Sequence, residues 1–397
     1  MRVVGVIAEY NPFHSGHAYH LARAKALAQA DYALAIMSGD FVQRGEPAMF
    51  PKKLRAKWAL QSGADLVLSL PAPYSLTSAA GFAKGAVGLL HKCGLVDALC
   101  FGSESGDVGL LSAALTTEDG PVRAAALRAA LEAGQSYPAA CGSALRAALP
   151  ALPAGPNDIL GLEYMRALDA LGSPMEPIAL ARQGAGHDEG GLAAAHASAT
   201  ALRNGIRAGD WESLAPFLCA TARSDIQNIV QSGGLREFGS LSQAILYALR
   251  RLTKDELAAL GEVREGLENP LYRACRETAT VDELLALVKT RRYPMARLKR
   301  ACLCALLGIS GADLQAAAQG DYLRVLGVRR EAFPLLSRLN QCAAVPVISK
   351  FADATRLAPA QRSLFELDLR AAEIACLAAQ TPQAAPFDFG EPLLIVD

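Results

Sequence analysis

VGVIAEYNPFHSGHAYH, Val4 to His20, lies at the start of the chain, and the rest of the sequence is read outward from it. The apolar run Val3 to Ala8 shows no polar alternation, which is how a strand buried on both faces reads. Asn11 and Pro12 turn the chain, and a helix is expected to begin near Ser15 or Gly16. Three of the six histidines, His14, His17 and His20, fall within seven residues of this junction. His14 and His17 then sit where first-turn amides point outward, and a helix start of that kind attracts anions. Gly16 has no Cβ to hold a phosphate away from the backbone. The two imidazoles could donate to phosphoryl oxygens whose charge grows in a transition state, and His20 lies on the same helix face as His17. Two plainer readings stay open: helix-capping or core imidazoles, and a metal site with Glu9 as the nearby carboxylate.

Working outward, the runs Tyr32 to Met37, Leu66 to Leu70, Ala98 to Phe101 and Glu176 to Ala181 read as further strands. Helical patterns lie between them at His17 to Gln29, Pro51 to Ser62, Ser78 to Lys92 and Ile159 to Leu171. This alternation predicts an α/β fold, a doubly wound, Rossmann-like parallel sheet with helices on both faces. The Pro- and Ala-rich span Ala144 to Pro156 is expected to be a loop inside the first domain. Beyond about residue 190 helical periodicity takes over through Leu307, with weaker strand candidates at Val345 to Ile348 and Leu393 to Val396. The expected division is a nucleotide-binding catalytic domain over 1–190 and a mainly helical region over 191–397.

Composition sets the outer limits. A chain of 397 residues has room for two or three domains. Its 39 Lys plus Arg balance 39 Asp plus Glu, which excludes a uniformly polybasic protein and leaves local patches to be read one by one. The nine cysteines form no CxxC or Cys/His zinc spacing, so buried, reduced thiols are expected and no resident metal. No apolar run is long enough for a membrane span, and Val3 to Ala8 is too short for a signal segment, so a cytoplasmic protein is expected.

HxGH after a first strand resembles the HxGH nucleotidylyltransferase superfamily, whose members attack the α-phosphate of a nucleoside triphosphate. Its second motif, ISSTxxR, is matched by Ser198, Thr200 and Arg203 in ASATALR, with Ala199 in place of a serine; read alone, this stretch is also a good helix N-cap. EYNPFHSGH, MSGDFVQRGEPA, FGSESGD, GPNDILGLEY and ARQGAGHD together resemble the tRNA(Met) cytidine acetate ligase family. The resemblance implies an enzyme that uses ATP to make acetyl-adenylate and passes the acetyl group to N4 of the wobble cytidine of elongator tRNA(Met). It places ATP contacts on Ile7, Ala8, Glu9, Tyr10, Asn11, Pro12, Phe13, His14, Ser15, Gly16, His17, Ala18, Tyr19 and His20, and on Gly102, Asn157 and Arg182. His14 and His17 are the catalytic candidates, and Ser198, Thr200 and Arg203 are candidate phosphate contacts. Mg2+ is expected to accompany ATP. In the polar loop Ser38 to Pro47, Asp40 is a candidate for holding magnesium and Arg44 for the acetate carboxylate, against a plain loop salt bridge for each. Lys52, Lys53, Arg55 and Lys57 read as a solvated helix face, with nucleic-acid contact as the alternative.

Acetate cannot acylate an aromatic amine directly, because hydroxide is a poor leaving group. Once adenylation has replaced that group, attack is a matter of holding the reactants together, and no enzyme nucleophile is needed. Between Leu284 and Ser310 there is no acidic residue, while Lys289, Arg291, Arg292, Arg297, Lys299 and Arg300 crowd twelve positions around Tyr293. That pattern suits tRNA phosphates and one stacked base, or a solvated helix face. Two rival functions are an adenylyltransferase acting on a phosphorylated cofactor precursor and an RNA-binding protein with a degenerate nucleotide fold.

Overall fold

The structure, a computed structural model, describes residues 1–117, 120–135, 137–181, 198–385 and 392–397. Its strands are β1 (Val3–Ala8), β2 (Tyr32–Ser38), β3 (Phe41–Val42), β4 (Glu46–Pro47), β5 (Leu66–Leu70), β6 (Ala98–Ser103), β7 (Glu176–Ala181), β8 (Leu323–Arg329), β9 (Val347–Ile348) and β10 (Leu394–Val396). The central sheet runs β10-β8-β5-β2-β1-β6-β7, with β9 beside β8, and β3 and β4 form a separate antiparallel hairpin. From β5 to β7 every pairing is parallel, so the predicted doubly wound sheet is present. Chain order reverses at β1, which opens a crevice between the carboxyl ends of β1 and β6, where open α/β sheets take ligands.

The missing polar alternation has its cause in the packing. In β2, Leu34 and Ile36 enter the core on one face of the sheet while Ala33, Ala35 and Met37 enter the core on the other. Both faces are covered, so every position is apolar. Helices α1 (Ser15–Leu27) and α2 (Lys52–Gln61) contribute to one layer, and the helices Ala79–Lys92 and Pro156–Ala170 to the other.

The tail is where the structure departs most from expectation. β8 pairs antiparallel with β5, and β9 and β10 run parallel to β8, so residues beyond 190 extend the same sheet. β8 was not legible because Arg324 interrupts its apolar run. That arginine is buried, 3.6 Å from the equally buried Asp368. The tail candidates are strands over Val347–Ile348 and Leu394–Val396. The expected loop 144–156 is partly helical, since the helix Tyr137–Ala148 runs into it. The helical body, from Phe238 to Ile309 with Ala371, Ala375 and Ala378, has its own core, which includes Phe41, Ala72 and Leu76. Among the described residues, no helix is long and apolar enough to cross a membrane.

Helix α2 is not the solvated face its charges suggested. Arg55 is fully buried, with Nη1 donating to the carbonyls of Glu9 (2.6 Å) and Ser38 (3.1 Å), Nε to Phe50 O (3.0 Å) and Nη2 to Gly39 O. One guanidinium therefore ties the ends of β1 and β2 together. Burial pushes its pKa down to about 10, still well above neutrality. Arg55→Met leaves these carbonyls buried without a donor and is expected to cost at least about 3 kcal/mol, read as a lower midpoint in urea unfolding.

Candidate active site

At the carboxyl edge between β1 and β6 lies a cavity of about 400 Å³. Of the stretch from Ile7 to His20, the cavity is lined by Ile7, Ala8, Glu9, Tyr10, Asn11, His14, Gly16, His17, Tyr19 and His20. Pro12, Phe13, Ser15 and Ala18 do not line it. Pro12 and Phe13 are buried beneath the turn, and Ser15 spends its amide on the Phe217 carbonyl at 2.8 Å. Asn11 has a structural duty as well, its Oδ1 accepting from Met49 N at 2.8 Å.

The histidine pair caps α1. His14 is the N-cap, its Nδ1 accepting from Gly16 N at 3.1 Å, and His17 Nδ1 accepts from His14 N at 3.3 Å. The capping reading of the sequence is therefore met, and both caps use Nδ1. A nitrogen that accepts carries no proton, so the ring hydrogen of each imidazole is on Nε2. The first-turn amides are not open to a ligand as expected: those of Gly16 and Ser15 are already engaged. The rings are 3.9 Å apart between centroids, and His17 also packs edge-on against Tyr10 at 4.9 Å.

Gly102 and Asn157 line the far side of the cavity, and Arg182 falls outside the described residues. Ser198, Thr200 and Arg203 come from the start of the helix Ala199–Ala208 to the same cavity. Ser198 Oγ is the N-cap, bonded to Ala201 N at 3.1 Å, so that serine serves its own helix. The Arg203 guanidinium donates to Asn11 O (2.9 Å) and Thr200 Oγ1 (3.0 Å), which aims it along the turn that carries the histidines. Burial lowers its pKa from the usual arginine value, with Glu46 acting in the opposite sense.

The hairpin loop divides its two candidates. Arg44 lines the cavity, whereas Asp40 is buried away from it between Lys52 (2.8 Å) and Arg236 (2.8 Å). A carboxylate already satisfied by two buried cations is not a magnesium ligand, so that expectation is corrected. The sequence reading also missed Val42, Gln43, Glu46, Phe101, Leu160 and Tyr164 in the wall. Phe101 and Tyr164 pack with centroids 5.7 Å apart as an aromatic shelf; their presence inside FGSESGD and GPNDILGLEY was the available signal. Glu9 accepts from Gln43 N at 2.6 Å, and burial raises its carboxyl above the usual range against the pull of that hydrogen bond and of Arg44. Among the described residues no cluster of three or more metal-ligating side chains occurs.

The basic segment also splits. Arg300 is buried against Glu262 (2.7 Å) and donates to Gln43 O, Arg297 binds Glu265 (2.9 Å), and Lys299 binds Glu46 (2.6 Å). Arg300 belongs to the interior, Arg300 and Lys299 anchor the hairpin, and Arg297 is half-buried and tied to the 262–265 turn, so none of the three is an unengaged charge on an open RNA surface. Tyr293 is likewise buried, its hydroxyl on Glu265 O at 2.8 Å, which removes it as a stacking platform. Lys289, Arg291 and Arg292 remain exposed.

Comparison with known proteins agrees with this geometry. The family model described as HIGH Nucleotidyl Transferase matches residues 1–387. A protein of Acetivibrio thermocellus named tRNA(Met) cytidine acetate ligase is 33% identical over 415 residues, covering 100% of both chains. One of the same name in Bacillus subtilis is 35% identical over 404 residues, covering 98% of this chain and 96% of that one.

The chain belongs to the tRNA(Met) cytidine acetate ligase family.

Thermotoga maritima TmcAL bound with alpha-thio ATP has a similar structure, at TM-score 0.88 and 28% identity over 100% of each chain; its apo form gives 0.90. In this member of the ligase family the Asp40 cluster joins the catalytic edge to the helical body. Burial alone would raise the Asp40 carboxyl, but Lys52 and Arg236 hold it well below the usual carboxylate range. Its contribution to stability is complete above the unfolded carboxyl value near ~3.9 and is lost as pH falls below it. Asp40→Asn leaves two buried cations underpaired and is expected to cost about 3–5 kcal/mol at neutral pH. In urea titrations the variant should also lose part of the wild type's decline in midpoint below pH ~4.

Proposed function

We propose that this chain is an ATP-dependent ligase. It joins acetate and ATP to acetyl-adenylate with release of pyrophosphate, then transfers the acetyl group to N4 of the wobble cytidine of elongator tRNA(Met), releasing AMP. The observation that carries the reading is the pair of imidazoles in the cavity wall at the β1/β6 switch point, His14 and His17, joined by a reciprocal cap through their Nδ1 atoms.

In the first step the acetate oxygen attacks the α-phosphorus and the bond to pyrophosphate breaks. His14 and His17 donate to phosphoryl oxygens as charge builds on the departing group, from rings that capping has already oriented. Arg203, held at the same turn, neutralises charge on the phosphate tail. Gly102 leaves room for the nucleoside, and Arg44 is suited to the acetate carboxylate. Mg2+ fits as an ion carried by the triphosphate and water, with Glu9 as the cavity carboxylate that would hold it, and it would supply charge neutralisation. In the second step the N4 lone pair attacks the acetyl carbon, N4 loses a proton, and AMP leaves. The enzyme's work there is to hold the two reactants in register.

We further infer a division of labour in a cytoplasmic protein: residues 1–190 carry the nucleotide chemistry together with Ser198, Thr200 and Arg203, which the expected boundary at 190 would have excluded, and the tRNA contacts lie within the rest of 191–397. Lys289, Arg291 and Arg292 support this as the exposed part of the basic segment. The pocket also fits the adenylyltransferase reading, but the full-length relatives favour the ligase.

His17→Ala is expected to lower acetate-dependent pyrophosphate release by about 100-fold or more while tRNA binding is retained; unchanged turnover would remove this residue from the mechanism. Arg291→Ala combined with Arg292→Ala should weaken tRNA binding and reduce the slope of log K against log salt by about 1.5 to 2, measured by filter binding across a salt series. Formation of N4-acetylcytidine is read by mass spectrometry of tRNA nucleosides after incubation with ATP and labelled acetate.

A further inference from the structure

Two motifs that lie far apart in the chain meet beside the cavity through a pair of crossed carboxylates. Glu104, in the turn after β6, accepts from Asn157 N (3.1 Å), from the Asn157 side-chain Nδ2 (2.6 Å) and from Asp158 N (2.7 Å). Asp158 answers from the helix, its Oδ1 accepting from Ser103 Oγ (2.5 Å), Ser105 N (3.1 Å) and Ser105 Oγ (3.1 Å). Gly155 is the N-cap of the helix Pro156–Ala170 and has no side chain to close it. A Cβ there would stand 2.5 Å from Glu104 Cδ, so the glycine is what admits the carboxylate.

Two consequences follow. A carboxylate accepts and does not donate, so the amide facing it must present N–H; Asn157 is held with Nδ2 on Glu104. Asn157 lines the cavity and Glu104 does not. The amides of this helix start are also consumed by Glu104, which leaves the histidine turn as the phosphate end of the crevice and this corner as the nucleoside end.

We propose that Glu104 is a positioning residue that holds the Asn157 carbonyl toward the nucleoside, so that the pocket selects for a hydrogen-bond donor there, the 6-amino group of adenine or a ribose hydroxyl. This rests on the ATP reading above. The test is equilibrium binding of ATP, inosine triphosphate and 2′-deoxy-ATP to the full-length protein, as wild type and as Glu104→Gln, Gly155→Ala and Asn157→Leu. The wild type should prefer ATP to one of the analogues, the inosine nucleotide if the donor is on the base and the deoxy nucleotide if it is on the sugar. Each variant should lose about tenfold of that preference, and Glu104→Gln should remove no more of it in the Asn157→Leu background. Equal weakening toward all three nucleotides, or a wild type without preference, overturns the proposal and leaves Glu104 a helix cap. A wild type that binds no ATP overturns the functional reading itself, and that result is seen before any variant is compared.

Discussion

The catalytic edge depends on a buried guanidinium. Strands of a parallel sheet end with carbonyls that need donors, and here the ends of β1 and β2 must be held together while leaving a crevice beside them. Arg55 does this from α2, gathering carbonyls of Glu9, Ser38, Gly39 and Phe50. Because guanidinium has five donors in a fixed plane and keeps its charge even when burial lowers its pKa, no lysine could hold the same set. The turn that carries His14 and His17 starts from the Glu9 end of this anchor.

A second layer of buried charge extends the same edge into the helical body. Asp40 sits between Lys52 of α2 and Arg236, and Arg300 and Lys299 hold the β3–β4 hairpin through the Gln43 carbonyl and Glu46. Gly45 closes that contact with a left-handed backbone, φ 76°; a Cβ there would meet Arg300 N at 2.6 Å. The wall of the cavity is therefore built on the helical body, and charges that looked like a partner's landing site are in part the bolts between the two.

The histidines show how one side chain meets two demands. Capping takes Nδ1, which sets ring orientation and leaves the proton on Nε2, so the helix start is satisfied by two residues that also line the cavity. Glu104 plays a matching part at a second helix start, where the N-cap is a glycine and the acceptor comes from a distant turn. The cavity lies among three helix N-termini, those of α1, Pro156–Ala170 and Ala199–Ala208, each capped by a side chain.

The sequence by itself determined the sheet from β1 to β7 and the residues at its carboxyl edge, because apolar runs buried on both faces and turn residues are local signals. His14 and His17 could be named from their clustering at that edge, whereas Asn157 and Arg203 were named through the family resemblance of the motifs that hold them. Only the tertiary structure decided the fate of the charged residues. Asp40 read as a magnesium candidate or loop salt bridge, Arg55 as part of a solvated helix face and Arg300 as part of a basic segment for RNA, because burial of a charge depends on a partner far away in the chain, and no local pattern records it. The same limit hid β8, whose buried arginine is neutralised by Asp368, and the link between Glu104 and Asn157, which exists only once two turns have been brought face to face.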